Sequence, residues 1–599
     1  MTNNALDSDS AIPRPSILRL SVSLLAGIVA TVVIAVFLAT SSFAEDRTTG
    51  SMYSDRGLFL PAIARERLPG TPKLRVTGIS VPHHLLAADM IARGFWVAAS
   101  NKYERVIILS PDHFNRSQRP FATTQRDFDT AFGRLENDRA ATQALLDNAA
   151  LFENSDLFEK EHGIAALTPF VKYFFPDATI VPIAISYSAS LGDWDQALAL
   201  VEGLTGPGVL VVQSTDFSHY LSAEVARQRD QETLNIIAAN DVEAIARLVQ
   251  PAHLDSKAAQ YMQMRLQGNT FKSHATVIGN RNSAHYGGAG IRTTSYIVTV
   301  YSDRHPTGSE LRYADQQVVY FGGDTFLGRW LTTPLADKDV ADAIVSEVKS
   351  LTGGAPLVVN LEGAVLDEPP EGISNDIHAM HAGLAVPIMT ALNVKVAGLA
   401  NNHSFDLGPN GYNETRRILR RAGIKPLGHK EIVDVGPFRL IGLNFIGKVD
   451  YHGYPVVKGS DLEQLCRMKA RPPLIALVHW GQEYTNVGGV PEYTAAETMQ
   501  ACGVSGIVGA HSHQAVSRIE AMQGGEYQIT YSLGNLLFDQ KAGRSSGALL
   551  ELRAFQQGTY ATRLIPVANL FELGASKLRM KQGLEIKTPG TTSVHSTED

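Results

Sequence analysis

Along this chain, short apolar runs rich in β-branched residues end abruptly in polar clusters. Residues 74–81 run into Pro82, His83 and His84, residues 105–109 into Ser110, Pro111, Asp112 and His113, and residues 209–213 into Ser214, Thr215, Asp216, Phe217, Ser218 and His219. The same pattern returns more densely further on. Residues 317–321 lead into Gly322, Gly323 and Asp324, residues 356–359 into Asn360 and Glu362, and residues 394–399 into Asn401, Asn402 and His403. Residues 474–478 lead into His479 and Trp480, residues 506–509 into His511 and His513, and residues 527–531 into Ser532 and Asn535. Apolar runs of about 4–8 residues bounded by polar ones read as buried strands, and their alternation with helical stretches predicts α/β layers with largely parallel sheets. Sites in such sheets lie beyond the carboxyl ends of the strands, which is where these clusters fall.

With 599 residues the chain exceeds one ordinary core, so at least two domains are expected. The pattern divides it into residues 1–45, a linker over 46–73, a first α/β domain over 74–302, a polar linker over 303–315, a second α/β domain over 316–572 and a polar tail over 573–599. Residues 20–39 carry no charge, with Arg14 and Arg19 before them and Glu45 and Asp46 after. Twenty such residues match the length needed to cross ~30 Å of hydrocarbon. The flanking charges predict a signal anchor with a cytoplasmic N-terminus, giving a single-pass protein of the bacterial inner or plasma membrane with both domains outside the cytoplasm. Cleavage after the small residues near Ala44 is the alternative. The formal charge of −7 and the lack of a basic block argue against nucleic acid as a partner. Cys466 and Cys502 are the two cysteines. They could form one bridge, but their apolar helical context favours buried free thiols.

Candidate chemistry follows the strand ends. In the first region His83, His113, Asp216 and His219 offer imidazoles and a carboxylate able to hold one Fe or Zn. Glu161 and His162 read equally as part of this site or as a polar helix start. In the second, Asp324, Glu362, Asn402, His479, His511 and His513 are suitable ligands for two divalent ions (Mn, Fe, Zn or Mg) sharing a carboxylate. An extended His511-Ser512-His513 segment would turn both imidazoles to one cavity. His403 is placed to protonate a leaving group, Asp406 to orient His403 or its loop, and Arg329 to clamp an anionic substrate. Asp324 and Glu362 read individually as helix N-caps as well. His378, His381, His429 and His452 lack a motif and are expected to be structural, and Trp480 to be a packing aromatic.

These motifs carry two resemblances. VPHHLLAADMIA, ILSPDHFNRS, EKEHGI and STDFSHY resemble the successive motifs of the Memo family, also labelled AmmeMemoRadiSam system protein B, over nearly all of residues 74–302. That resemblance implies a fold similar to class III extradiol dioxygenases and a metal site mapped to His83, His113 and Ser218-His219. The chain has Ser218 where eukaryotic members have cysteine. GGDTFLGR, NLEG, ANNHSFDLG, HWGQEY, GAHSH and YSLGNLLFDQ match, in order, the motifs of CapA-family capsule and poly-γ-glutamate biosynthesis proteins over residues 316–555. This implies a calcineurin-like metallophosphoesterase sandwich with Asp324, Glu362, Asn402, His479, His511 and His513 as ligands and His403 as acid. The Asp-x-His that opens the phosphoesterase pattern is absent, since Thr325 and Phe326 follow Asp324.

The expectation is therefore a membrane-anchored envelope protein whose second domain is a metal-dependent hydrolase or transferase in capsule-type polymer biosynthesis. Its expected substrate is an anionic polymer or phosphoester, and its expected partners are polymer synthase or export proteins. A non-catalytic scaffold for such a synthase, and a non-haem metal oxygenase activity in the first domain, are the alternatives.

Overall fold

The computed structural model describes residues 48–68, 70, 72–447, 454–467 and 473–582. The described residues from Gly50 on form one compact unit.

A nine-stranded sheet organises the first half. Its centre is four parallel strands in the order Val76–Val81, Val209–Ser214, Arg105–Pro111 and Thr179–Ile185. All four are almost entirely buried, as near-continuous Val/Ile/Leu runs must be when helices cover both faces. Antiparallel strands extend the sheet on the Val76–Val81 side, where Thr293–Ser302 pairs with both Val76–Val81 and His274–Asn282. The polar clusters after Val81, Pro111 and Ser214 consequently emerge along one end of the sheet.

In the second half two sheets face each other. One runs in the order Lys425–Leu427, Val394–Gly398, Leu357–Leu361, Gln316–Thr325, Gly547–Phe555 and Tyr560–Val567, with Asn535–Leu537 also paired to Gln316–Thr325. The other runs Ile432–Val435, Phe438–Asn444, Leu474–His479, Gly506–Ala510, Tyr527–Thr530 and Glu520–Met522. Val319, Phe321, Val358 and Val396 of the first sheet share a core with Leu440, Ile475, Leu477 and Val508 of the second. Each such side chain contributes ~1.5–3 kcal/mol by burial. The inner strands of both sheets are parallel, so their carboxyl ends open on one rim.

The expected α/β class is thus observed, with one correction. The expected membrane helix over residues 20–39 lies outside the described residues, and no helix among the described residues is long and apolar enough to cross a membrane. The longest of them, Ala223–Ala239, has 17 residues and carries Glu224, Arg227, Arg229, Asp230 and Glu232. The single-pass architecture and the inner-membrane placement are withdrawn on that ground. The cysteine expectation is also corrected: Cys466, at the end of helix Gly459–Arg467, is disulfide-bonded to Cys502, which directly follows helix Val490–Ala501. His452 and residues 583–599 lie outside the described residues, while the start of the expected tail is part of helix Leu570–Lys581.

The polar segment over residues 303–315 is built into the structure. Leu311 and Tyr313 belong to the core of the first half. Asp315 accepts from Arg93 Nη2 at 3.1 Å and from Arg281 Nη2 at 2.6 Å. From the second half, Arg553 donates to the Leu311 carbonyl (2.5 Å) and Arg563 to the Pro306 carbonyl (3.0 Å). Both arginines flank Glu551, which is 2% exposed and also accepts from Tyr320 Oη at 2.6 Å.

Burial would raise the Glu551 carboxyl, but Arg563 and Arg553 hold it below its ordinary value of 4.5. A depressed folded-state pKa stabilises above the unfolded value and ceases to do so as pH falls through the folded one. Glu551→Gln is therefore expected to destabilise the protein by about 3–5 kcal/mol at pH 7, because two buried guanidinium groups lose their counter-charge. Denaturant unfolding of wild type and variant should show this difference shrinking as the pH is taken well below 4.5.

Candidate metal centres

The first centre is assembled from four strand or helix ends. His83 follows Val76–Val81 and is 2% exposed. Its Nδ1 lies 3.1 Å from Ser214 Oγ, and that hydroxyl donates its one proton to the Gly163 carbonyl at 2.6 Å. Nδ1 must therefore be the donor, which leaves a lone pair on Nε2. Likewise His113 Nδ1 lies 2.6 Å from Glu161 Oε1, an acceptor that also takes the Gly163 N–H at 2.8 Å. A Cβ at Gly163 would sit 2.2 Å from Ser110 Oγ, so a glycine is required at this crossing.

The two Nε2 atoms converge on a carboxylate that the strand-end pattern did not single out. Asp255 Oδ2 lies 3.3 Å from His83 Nε2 and 3.7 Å from His113 Nε2. Asp255 is 3% exposed, and its Oδ1 has no hydrogen-bond partner among the described residues. Asp255 directly precedes Ser256, which caps helix Lys257–Arg265. Asp216 plays a different part: its Oδ1 accepts the His83 backbone N–H at 3.1 Å, while Oδ2 is 3.7 Å from His83 Nε2. Burial, and then Asp255, raise the Asp216 carboxyl well above its usual range. His162 joins the group, since one ligand atom from each of His83, His113 and His162 lie within 4.8 Å of one another. Glu161 meanwhile caps the short helix His162–Ala165, so it is both helix start and site member. Burial lowers His83 far below its usual value, helped by the neighbouring imidazoles. Burial would also lower His113, but Asp255 and Glu161 carry it up to about 10. His219 is half-buried, with an unpartnered Nδ1 among the described residues. Ser218 turns away and donates to Asp230 at 2.6 Å.

The second centre lies on the shared rim of the two facing sheets. Asp324 ends Gln316–Thr325 and Glu362 follows Leu357–Leu361, with exposures of 0% and 1%. Asn360 Nδ2 sits between them, 2.8 Å from Asp324 Oδ1 and 3.2 Å from Glu362 Oε1. The His511 backbone N–H donates to both Asp324 oxygens (3.2 and 3.1 Å). His513 Nδ1 lies 2.8 Å from Asn535 Oδ1 and 3.3 Å from Asp324 Oδ2. His479 Nε2 is 2.8 Å from Asn402 Oδ1, and the His479 and His511 rings are 4.6 Å apart. Burial would raise the Asp324 carboxyl, yet His513 and His479 hold it low, whereas burial and Asp324 push Glu362 well above its usual range. Two buried carboxylates that cannot both ionise comfortably form a site that a cation relieves.

The extended His511-Ser512-His513 geometry is corrected. His511 has φ +96° and His513 φ +58°, so both occupy the left-handed region. The kink turns the His511 N–H inward, and such local strain persists only where neighbours over-determine it. A close approach fixes it: a Cβ at Gly509 would lie 1.7 Å from the Tyr531 carbonyl oxygen. Trp480 packs as expected, donating to that same carbonyl at 2.8 Å.

His378, expected to be structural, stacks on His403 with ring centres 3.6 Å apart. Ligand atoms of Glu362, His378 and His403 lie within 4.8 Å of one another, as do those of Asp324, Glu362 and His513. Glu362 belongs to both groups. His378 follows no apolar run, so the strand-end pattern gives no sign of it. Asp406 Oδ2 is 2.8 Å from His403 Nδ1 and also accepts the His378 N–H at 2.9 Å. Arg329 forms a two-pronged pair with Asp539 (2.9 and 2.6 Å) and donates to the Asn375 carbonyl at 2.5 Å. Three of its five N–H donors are engaged in this way, and it braces the rim.

The donor sets of both centres, histidine nitrogens and carboxylate oxygens with fixed tautomers, suit divalent metal ions. The fold and these two centres define a chain of two α/β halves, each with a group of residues able to hold metal. A family model described as "Memo-like protein" matches residues 45–297, and one described as "Bacterial capsule synthesis protein PGA_cap" matches residues 318–434 and 458–540. A MEMO1 family protein of Thermotoga sp. (strain RQ2) is 25% identical over 169 residues, covering 27% of this chain and 61% of that protein. One from Caldivirga maquilingensis is 28% identical over 183 residues, or 28% of this chain and 62% of its own length. The PGA biosynthesis protein CapA of Bacillus subtilis (strain 168) is 26% identical over 270 residues, or 41% of this chain and 70% of that protein. The chain spans about three fifths of these two Memo relatives. It is a fusion of a Memo-like region and a CapA-like region.

In a chain whose second centre is disabled by Asp324→Ala, Asp255→Ala is expected to weaken Fe(II) or Zn(II) binding on the order of a hundredfold. Ser218→Ala, whose hydroxyl serves Asp230, should leave it unchanged. Competition with a chromophoric chelator measures both.

Proposed function

We propose that the CapA-like half is a metal-dependent hydrolase or transferase acting on an anionic ester or γ-glutamyl amide in capsule-type polymer biosynthesis. The observation that carries this reading is the shared position of Glu362 in the Asp324–Glu362–His513 and Glu362–His378–His403 groups. A carboxylate common to two ligand groups is what a two-ion centre requires. The polymer link is supported by the likeness to the B. subtilis protein and to the capsule synthesis model.

Asp324, Glu362, His513, His479, Asn402 and His378 would hold the ions. Bound there, divalent ions supply Lewis-acid polarisation of the phosphoryl or carbonyl oxygen and a water acidified toward neutral pH. The chain's own groups do the rest. Asp406 fixes His403 through Nδ1, so His403 presents Nε2 to the rim, from which it delivers a proton to the leaving oxygen or nitrogen. Asn360 keeps the two carboxylates apart and oriented. Arg329, tied to Asp539, shapes the rim without binding the substrate charge.

One observation favours a second reading for the Memo-like half. Two imidazole Nε2 atoms and Asp255 Oδ2 on one face form the two-histidine, one-carboxylate set associated with non-haem iron. Oxygen-dependent chemistry there is the alternative activity.

His403→Gln is expected to lower kcat on bis(p-nitrophenyl) phosphate or γ-glutamyl-p-nitroanilide by on the order of 10²–10⁴ while metal content, read by elemental analysis, stays unchanged. Loss of metal in this variant would make His403 a ligand instead. Turnover that survives both His403→Gln and Asp324→Ala would sink the hydrolase reading and leave the scaffold role.

A further inference from the structure

A helix lying on a sheet ordinarily turns an apolar stripe toward it. Helix Lys257–Arg265 and the π-helical turn Leu266–Phe271 that continues it depart from this. Gln260, Gln263 and Gln267 are at most 1% exposed and reach into the first sheet. Gln213 Nε2 donates to Gln260 Oε1 at 3.0 Å, and Gln263 Nε2 donates to the Ile79 and Val211 carbonyls at 3.3 and 3.2 Å. The sheet makes room for them at Gly78, where a Cβ would lie 2.3 Å from Gln267 Nε2 and 2.6 Å from Gln263 Nε2.

The hydrogen bonding along this polar seam is incomplete. Gln263 Oε1, Gln213 Oε1, Ser80 Oγ, Thr215 Oγ1 and Asp255 Oδ1 are buried without a hydrogen-bond partner among the described residues, and none of these five residues is more than 3% exposed. Ser80 and Gln213 stand opposite each other on paired strands and share a face. Thr215, two residues beyond Gln213 and still held to Val81 by its N–H at 3.0 Å, follows on the same side. Asp255 directly precedes the cap of the helix that carries Gln260, and its Oδ2 accepts the Asp216 N–H at 3.0 Å. The unpartnered atoms therefore follow the strand direction from Gln263 to the first metal centre. At the other end Gln267 is engaged at both head atoms, accepting from Thr77 Oγ1 at 2.6 Å and donating to the Thr77 carbonyl at 3.3 Å.

Buried polar atoms without partners are uncommon, and ordered internal water, making ~3 hydrogen bonds per molecule, is what satisfies them. The glutamine Oε1 atoms and the Asp255 carboxylate only accept, whereas the Ser80 and Thr215 hydroxyls accept or donate. Water, with two protons to give, suits such a set, and sealing from solvent is the ordinary condition of an internal water. We propose that a file of internal water molecules occupies this seam and ends on Asp255 Oδ1. A water held there by Thr215 and Gln213 fixes the rotation of the carboxylate, so that Oδ2 stays turned to His83 Nε2 and His113 Nε2 at 3.3 and 3.7 Å. Gln213 and Thr215 are then positioning residues for a ligand that neither of them touches.

A high-resolution crystal structure of the full chain and Zn(II) competition with a chromophoric chelator test this. Ordered water is expected within hydrogen-bond reach of both Gln213 Oε1 and Asp255 Oδ1. With the second centre disabled by Asp324→Ala, Gln213→Leu and the isosteric Thr215→Val should each weaken Zn(II) binding about tenfold or more. Gln267→Met, at the closed end, should leave it unchanged. Absence of ordered water on Asp255 Oδ1 would overturn the proposal, as would Zn(II) affinity that Thr215→Val leaves intact. Equal weakening by Gln267→Met would do so too, because it reports general loosening of the half. The second arm rests on the reading that the first centre holds a metal. A wild-type first centre that binds no Zn(II) or Fe(II) sinks that reading alone, and the crystallographic water positions still decide the file.

Discussion

The CapA-like half is arranged around the burial of one charge. Asp324 is entirely out of solvent, near the end of a strand that is buried from Val319 onward. A carboxylate so placed must be compensated on every side, or it will not stay ionised. Asn360 supplies one donor and the His511 backbone another, with the His513 imidazole alongside. His511 itself is left-handed where its N–H meets the carboxylate. A glycine stands at 323, where a Cβ would lie 1.8 Å from the Gly534 carbonyl oxygen. The strain in the loop and the low carboxyl pKa meet at this one carboxylate.

Buried polar groups join the halves beside apolar contacts such as those of Phe555 and Ala561 with the first half's core. Asp230 accepts from Ser218 and Asn280 of its own half and from Gln557 of the other. Thr559 donates to Asn280 at 2.6 Å, and Gln231 exchanges two 2.9 Å hydrogen bonds with the Tyr560 backbone. Strand Gly547–Phe555, just before Gln557, pairs with the strand that carries Asp324, and Tyr560–Val567 pairs in turn with Gly547–Phe555. Such groups have one satisfied arrangement, so they fix the relative placement of the halves more sharply than an apolar seam would.

Much of this was legible in sequence because a buried parallel strand announces itself as a run of apolar residues and its carboxyl end as the first polar break. His83, His113, Asp324, Glu362, His479 and His513 were all found at such breaks. Asp255 was hidden because it sits one residue before an ordinary Ser-capped helix, and His378 because its loop follows no strand. Both reach their centres through tertiary folding alone. The conformation at His511 was misread for a similar reason: an x in His-x-His says nothing of backbone handedness, which the Asp324 carboxylate and the Tyr531 carbonyl impose from elsewhere. The disulfide was underestimated because the two cysteines are 36 residues apart and meet only when two helices pack end to end.

The two centres differ in what stands behind their histidines, and that difference bears on their chemistry. In the Memo-like half, His113 leans on the Glu161 carboxylate, which makes its Nε2 a stronger donor toward a metal. His83 leans on a hydroxyl already committed elsewhere. In the CapA-like half, His513 Nδ1 meets both the Asn535 amide and the Asp324 carboxylate, and His479 lies between the amides of Asn402 and Asn360. Such neighbours orient an imidazole and tune its basicity, so the two groups of histidines are tuned differently.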